Sequence, residues 1–289
     1  MGGLTAGILI LSSLALLRRK EAAFPTISYK LPLWGPVLLS VGMFFLFLDL
    51  EYKAHFWRFY TAFRITSVMS WGAWILLLVY PVNGLLILIT LEKGYPRFAK
   101  KLMEWIGEQN WQSWQQWAQK HSGRIAGVGI LVGILLGMYT GILLSAFGAR
   151  PFWNSALLGP IFLVSGVSTA LALAALLSSQ NEERKAYEWS DFWLISLELA
   201  LLGLFLITLF SSSALYQQSV NSIMGGKWTL DFWLLVVFFG LFFPWLLEML
   251  GRMGKNIPPA IAPILVLLGG LYFRYVILEV GQISTWIPY

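Results

Sequence analysis

Two stretches gather side chains able to move protons or hold a flat polar ring. The first runs Leu48-Asp49-Leu50-Glu51-Tyr52-Lys53, then Phe56-Trp57-Arg58-Phe59-Tyr60, and on through Thr66-Ser67-Val68-Met69-Ser70-Trp71-Gly72-Ala73-Trp74. Asp49 closes a nearly unbroken apolar run, which disfavours its charge, while Lys53 and Arg58 favour it; a carboxyl balanced in this way suits proton exchange. The same residue also reads as a helix-end carboxylate paired with Lys53 and open to water. His55, a residue type whose charge changes near neutral pH, is either a proton relay or a solvated loop side chain. The second stretch is Tyr139-Thr140-Gly141 followed by Arg150-Pro151-Phe152-Trp153-Asn154-Ser155. A phenol such as Tyr139 can donate a hydrogen bond to a carbonyl while its ring packs on a headgroup, and it serves equally in an aromatic belt.

Further polar residues lie inside apolar runs. Glu198 reads as about eight residues into its run, roughly 12 Å from the inner end. An acid at that depth is costly enough to imply a function, and a proton path is the natural one. Glu248 and Glu279 lie nearer the ends of their runs, within reach of water. Ser165, Ser168 and Thr169 share a helical face and read as backbone or interhelical hydrogen-bonders, with a polar path as a secondary role. Arg274 reads as a site residue, a snorkelling residue or a docking contact.

The elements that must position these groups are membrane spans. The chain of 289 residues is 58% hydrophobic and 12% charged, whereas soluble domains hold about half apolar and a quarter charged residues. It has no cysteine and two histidines, His55 and His121. Disulfides and thiolate-ligated iron-sulfur clusters within this chain are therefore excluded, and no histidine pairs within spans exist for two haems. No metal site and no basic-aromatic nucleic-acid module is visible.

Apolar runs long enough for a bilayer, about 20 residues, fall near 33–50, 70–91, 124–147, 154–177, 191–212, 230–250 and 258–278. An eighth, Gly2 to Leu17, gives about 24 Å of helix against a ~30 Å hydrocarbon core. Arg18-Arg19-Lys20 follow this run instead of preceding it, so it reads as a first helix lacking its outer part and not as a signal peptide. With eight spans, fourteen basic residues fall on one side (Arg18, Arg19, Lys20, Lys30, Lys93, Arg97 and their like) and six on the other: Lys53, Arg58, Arg64, Arg150, Lys227 and Arg274. The excess marks the first side as cytoplasmic and puts both termini and the Asp49–Trp74 stretch outside. Residues 92–121 read as a cytoplasmic interfacial amphipathic loop, broken near Gly107, with Trp111, Trp114 and Trp117 as anchors. Gly129, Gly133, Gly137 and Gly141 form a small-residue stripe suited to close helix packing.

The Asp49–Trp74 stretch, the Tyr139–Ser155 stretch, Ser165–Thr169 and Leu268–Gln282 together resemble the NrfD/polysulfide-reductase membrane-subunit family, and the resemblance extends over nearly the whole chain, 1–289, as one transmembrane domain. It implies an all-α integral membrane protein with eight transmembrane helices in two four-helix bundles. It also implies a membrane anchor without a redox centre of its own, binding menaquinone or ubiquinone and exchanging electrons with an iron-sulfur (ferredoxin-like) partner on the outer face. Many such complexes include a molybdenum- or tungsten-containing catalytic subunit or a cytochrome, so the chain is not expected to be catalytic alone. Under this reading Asp49 exchanges protons with the quinol, Tyr139 bonds the headgroup, His55 is a relay, and Trp71 and Asn154 complete the pocket. Arg58 and Arg64 become partner-docking contacts and Glu198 part of a proton path. The membrane is the prokaryotic cytoplasmic membrane. The Gly2-Gly3-Leu4-Thr5-Ala6-Gly7 string resembles the middle of the family's first helix; the outer half, which commonly supplies polar pocket residues, has no counterpart. Two rivals remain: a redox-driven proton- or ion-translocating subunit, against which no inverted repeat is visible, and a purely structural anchor.

Overall fold

The structure, a computed structural model, describes residues 1–61, 63–255 and 257–284. Among the described residues it is helical, with no strand. The helices are α1 Gly2–Leu17, α2 Thr26–Asp49, α3 Val68–Gly94, α4 Pro96–Ile106, α5 Glu108–Lys120, α6 Ser122–Ser145, α7 Leu158–Leu177, α8 Asn181–Phe210, α9 Ala214–Met224, α10 Asp231–Arg252 and α11 Ile261–Ile283. Seven of them, α2, α3, α6, α7, α8, α10 and α11, are long and apolar enough to cross a membrane, and α1 is apolar but shorter. The protein is an integral membrane protein by this measure. Its contacts divide into two compact units, Met1–Gly137 and Met138–Tyr289, with the division inside α6.

In the first unit α1 packs on α2, α2 on α3, and α3 on α4 and α5. Water is no driving partner between helices in lipid, so close backbone approach and buried polar contacts carry the packing. Thr5 Oγ1 donates to the Gly35 carbonyl (3.3 Å) and Ser12 Oγ to the Ile27 carbonyl (2.7 Å). A Cβ at Gly129 would strike Ser13, and one at Gly133 would strike Ile10 and the Ala6 carbonyl. The glycine stripe thus lets α6 lie against α1. α4 and α5 meet at Gly107, whose φ of +94° only glycine adopts readily. Trp114 and Trp117 are exposed, but Trp111 is 2% exposed and its indole donates to Glu92 Oε1 at 2.8 Å. Trp111 is therefore a packing residue and not an interfacial anchor, because the helix turns it onto the end of α3.

In the second unit α7 packs on α8 and α11, and α10 on the same two helices. Edge-on rings fill the centre, Phe152 on Phe205 (5.6 Å) and Phe162 on Phe273 (5.8 Å). α10 and α11 touch backbone to backbone at Gly240 and Gly269. Two segments are π-helical, Thr26–Lys30 at the start of α2 and Asp231–Phe242 in α10. Each runs into a proline, Pro32 or Pro244, which cannot donate to the helix ladder, and the wider turn re-registers the hydrogen bonds around it. α8 has 30 residues and begins ten residues before the apolar run, because its first turns are polar yet helix-forming. Glu198 accordingly lies about 25 Å from the start of α8, while its depth within the apolar run stays about 12 Å.

Candidate functional site

α2 stops at Asp49 because Leu50 is extended (ψ 129°). Lys53–His55 then make one tight turn and Arg58–Thr61 another. Ser67 opens α3, accepting from the Ser70 amide at 3.4 Å, and Ser70 Oγ accepts from the Arg64 amide at 3.0 Å. These turns enclose a cleft of about 580 Å³ lined by Leu50, Glu51, Tyr52, His55 and Arg58. His55 and Arg58 are therefore brought together. Asp49 is exposed at the helix end next to this lining, and Trp71 is exposed on the first turn of α3. The Arg58 guanidinium stands over the Trp57 ring at 5.7 Å. Burial, together with Tyr80 nearby, pushes the Tyr60 phenol above its ordinary value, so it remains a hydrogen-bond donor at neutral pH. Tyr80 itself shares a hydrogen bond with Ser40 (2.9 Å). This trio of hydroxyls was not singled out from sequence; Ser40 and Tyr80 lie forty residues apart on separate helices.

In the second unit Tyr139 is half-buried on the last turns of α6. Gly141, two residues on, approaches the backbone of Leu158 and Gly159 at the start of α7 so closely that a Cβ would not fit. The Arg150–Ser155 stretch is a clasp. Arg150 donates to the carbonyls of Gln282 and Ser284, the latter at 3.0 Å. Trp153 donates from Nε1 to the Ile277 carbonyl at 2.8 Å and fills the notch left by Gly281. Asn154 Nδ2 donates to the Tyr216 hydroxyl at 2.9 Å, a partner that sequence reasoning missed.

Deeper in this unit Glu198 is 2% exposed, with Ser165 of α7 and Arg274 of α11 beside it. Arg274 points inward, donating to the Gly270 carbonyl (3.0 Å) and across to the Phe162 carbonyl of α7 (3.2 Å). Snorkelling and docking roles do not fit that geometry, since helix backbone already occupies its guanidinium. Thr169 bonds the Gly166 carbonyl at 2.9 Å, whereas Ser165 and Ser168 face the acids of α8. Glu248, expected near water, is 6% exposed and lines a cavity at the end of α10. Asp49, His55, Arg58, Arg64 and Trp71 thus belong to the first unit, and Tyr139, Asn154 and Glu198 to the second.

The sequence model of the family described as "Polysulphide reductase, NrfD" matches residues 1–285. Protein NrfD of Escherichia coli is 27% identical over 98% of this chain and 92% of its own length. The NrfD homolog of Haemophilus influenzae is 25% identical, covering 87% and 81% of the two chains. The polysulfide reductase C subunit of Wolinella succinogenes is 26% identical over 86% and 80%. With its spans, its signature cleft and its clasp all inside the matched region, the chain belongs to the NrfD/polysulphide reductase family of membrane proteins.

Proposed function

We propose that this protein is the quinone-binding membrane subunit of a respiratory oxidoreductase complex, exchanging electrons with an iron-sulfur partner docked at the Asp49–Trp74 loop. Membership of a family of redox-complex membrane subunits supports the coarse reading. The observation that carries the finer one is the cleft beside Asp49, in which an imidazole, a guanidinium and a phenol meet at the end of an apolar helix. Menaquinone or ubiquinone, when bound, supplies a two-electron, two-proton couple. The protein's own part is to hold the ring and handle its protons. In the first unit Asp49 accepts or returns a proton and His55 passes it between the cleft and outer water; in the second unit the Tyr139 phenol is a donor suited to a quinone carbonyl. Trp71 of the first unit offers a ring to pack on a quinone, and Asn154 of the second, whose Nδ2 is held by Tyr216, offers its side-chain carbonyl. Arg58 and Arg64 supply positive charge to a cluster-bearing partner, and a molybdenum or tungsten catalytic subunit completes the complex.

The basic helix ends face the cytoplasm in this proposal, and both termini face outward. Protons released on the same side as the electrons make no charge separation, so a path through Glu198 decides whether turnover is electrogenic. A redox-driven translocating subunit is the second reading, favoured by the buried acids of α8 and α10. The test is purification of the tagged chain from its native membrane in mild detergent, with mass spectrometry and iron analysis of what accompanies it. A cysteine-rich, iron-bearing partner is expected. An iron-free single chain that retains membrane activity would remove the electron-transfer reading.

A further inference from the structure

The inward face of α8 is the buried series Glu183, Tyr187, Asp191, Ile195, Glu198, Leu202, Phe205 and Leu209, spaced three to four residues apart. Three of its positions are acids where helix packing alone asks for apolar side chains. Glu183 is closed off: it accepts from Ser178 Oγ (2.6 Å) and from the Tyr187 hydroxyl (2.7 Å). Asp191 and Glu198, each 2% exposed, lie on one side of the helix about 10 Å apart along its axis. Glu248 of α10 neighbours both Asp191 and Glu188, Ser168 of α7 neighbours Asp191, and Ser165 neighbours Glu198.

Glu248 Oε2 is buried without a hydrogen-bond partner among the described residues, and Asp191 Oδ1 and Ser168 Oγ, side by side, are buried outside strict hydrogen-bond geometry. Polar atoms left so cost a few kcal/mol each unless water or a mobile proton meets them. A cavity of about 280 Å³ opens at the basic helix ends, lined by Asn181, Arg184, Lys185, Glu188, Glu248 and Lys255 among others. At ~30 Å³ per water it has room for several. Glu248 thus belongs both to the cavity wall and to the surroundings of Asp191. Arg252 stacks on Trp189 beside the mouth, and Arg274 closes the far end next to Glu198.

We propose that Glu248, Asp191 and Glu198, with Ser168 and Ser165 alongside, form a water-filled proton path from the basic face of the second unit to the middle of the membrane. The path rests on the proposed redox function only for what drives it.

Because the chain has no cysteine, single thiols can report water access without background. Ser168→Cys and Glu248→Cys are exposed to silver ion from either face of membrane vesicles, with Leu197→Cys, a lipid-facing position on α8, as control. Both are expected to react at least tenfold faster from the basic face than from the other, and tenfold faster than Leu197→Cys. In the intact complex, Asp191→Asn is expected to cut proton uptake from the basic side at least twofold per electron, and Asp191→Glu to restore it. Silver reactivity of Ser168→Cys equal to the control, or unchanged proton uptake in Asp191→Asn, overturns the path. The thiol reaction needs neither quinone nor partner, so a reactive Ser168→Cys in a chain without quinone-dependent turnover removes the proposed function and leaves the path.

Discussion

Replacing Gly269 by alanine places a methyl group against the Cα, carbonyl carbon and carbonyl oxygen of Gly240. These are backbone atoms, which cannot rotate aside as a side-chain tip would, so α10 and α11 must separate. Overpacking of this kind costs about 1–3 kcal/mol, and the rigidity of the neighbour puts Gly269 near 3. Alanine regains up to ~1 kcal/mol of helix propensity, leaving a net loss of about 2 kcal/mol. A Cβ at Gly203 on α8 would meet no side chain or neighbouring helix within 4 Å among the described residues, so Gly203→Ala keeps the propensity gain and meets no clash. The two variants should differ by about 3 kcal/mol, roughly a hundredfold in the unfolding constant. Reversible unfolding of the purified protein by SDS in mild micelles, followed by tryptophan fluorescence, measures this directly. Equal midpoints for the two variants would refute the backbone contact between α10 and α11.

Other substitutions test other contacts. Trp111→Phe removes the hydrogen bond to Glu92 from a buried ring and should cost about 1–2 kcal/mol, seen as faster proteolysis within Glu108–Lys120; an unchanged cleavage rate argues against the docked position of α5. Arg150→Gln gives up charge-assisted bonds to the Gln282 and Ser284 carbonyls, about 1.5–3 kcal/mol, and should speed amide exchange at the end of α11 without changing α8. Glu198→Leu leaves Arg274 without its neighbouring acid and should destabilise by about 3 kcal/mol, with Glu198→Leu/Arg274→Leu recovering part of it. Strict additivity of the two single changes would show that the pair is not coupled.

Much of the architecture was legible because its signals are local. Runs of twenty apolar residues have one stable form in a bilayer, Gly107 marked a break that needs positive φ, and the stripe on α6 foretold close approach, seen at Gly129 and Gly133 against α1 and at Gly141 against α7. The inner end of α8 was misplaced because a polar first turn, Asn181-Glu182-Glu183-Arg184, continues a helix as readily as it ends a span. Trp111 was misread since tryptophans three apart share a side only loosely, and a single turn decides which of them meets Glu92. The long-range polar pairings were hidden for another reason. Asn154 with Tyr216, Ser40 with Tyr80, and Glu248 with Asp191 join residues 62, 40 and 57 positions apart in the chain, and only packing brings such partners together. Asp191 gave no sign in the sequence because it sits where the polar and apolar parts of α8 meet.

Quinone binding by the purified protein is the claim on which the rest turns. Titration of a naphthoquinone analogue against the intrinsic tryptophan fluorescence of the purified complex should show saturable quenching. Its Kd should rise about tenfold in Tyr139→Phe and in Asp49→Asn, as loss of one hydrogen bond worth ~1.4 kcal/mol requires, while partner and iron content stay unchanged. Quenching that does not saturate, or an affinity identical in all three proteins, would contradict the proposed parts of Asp49 and Tyr139 in quinone binding.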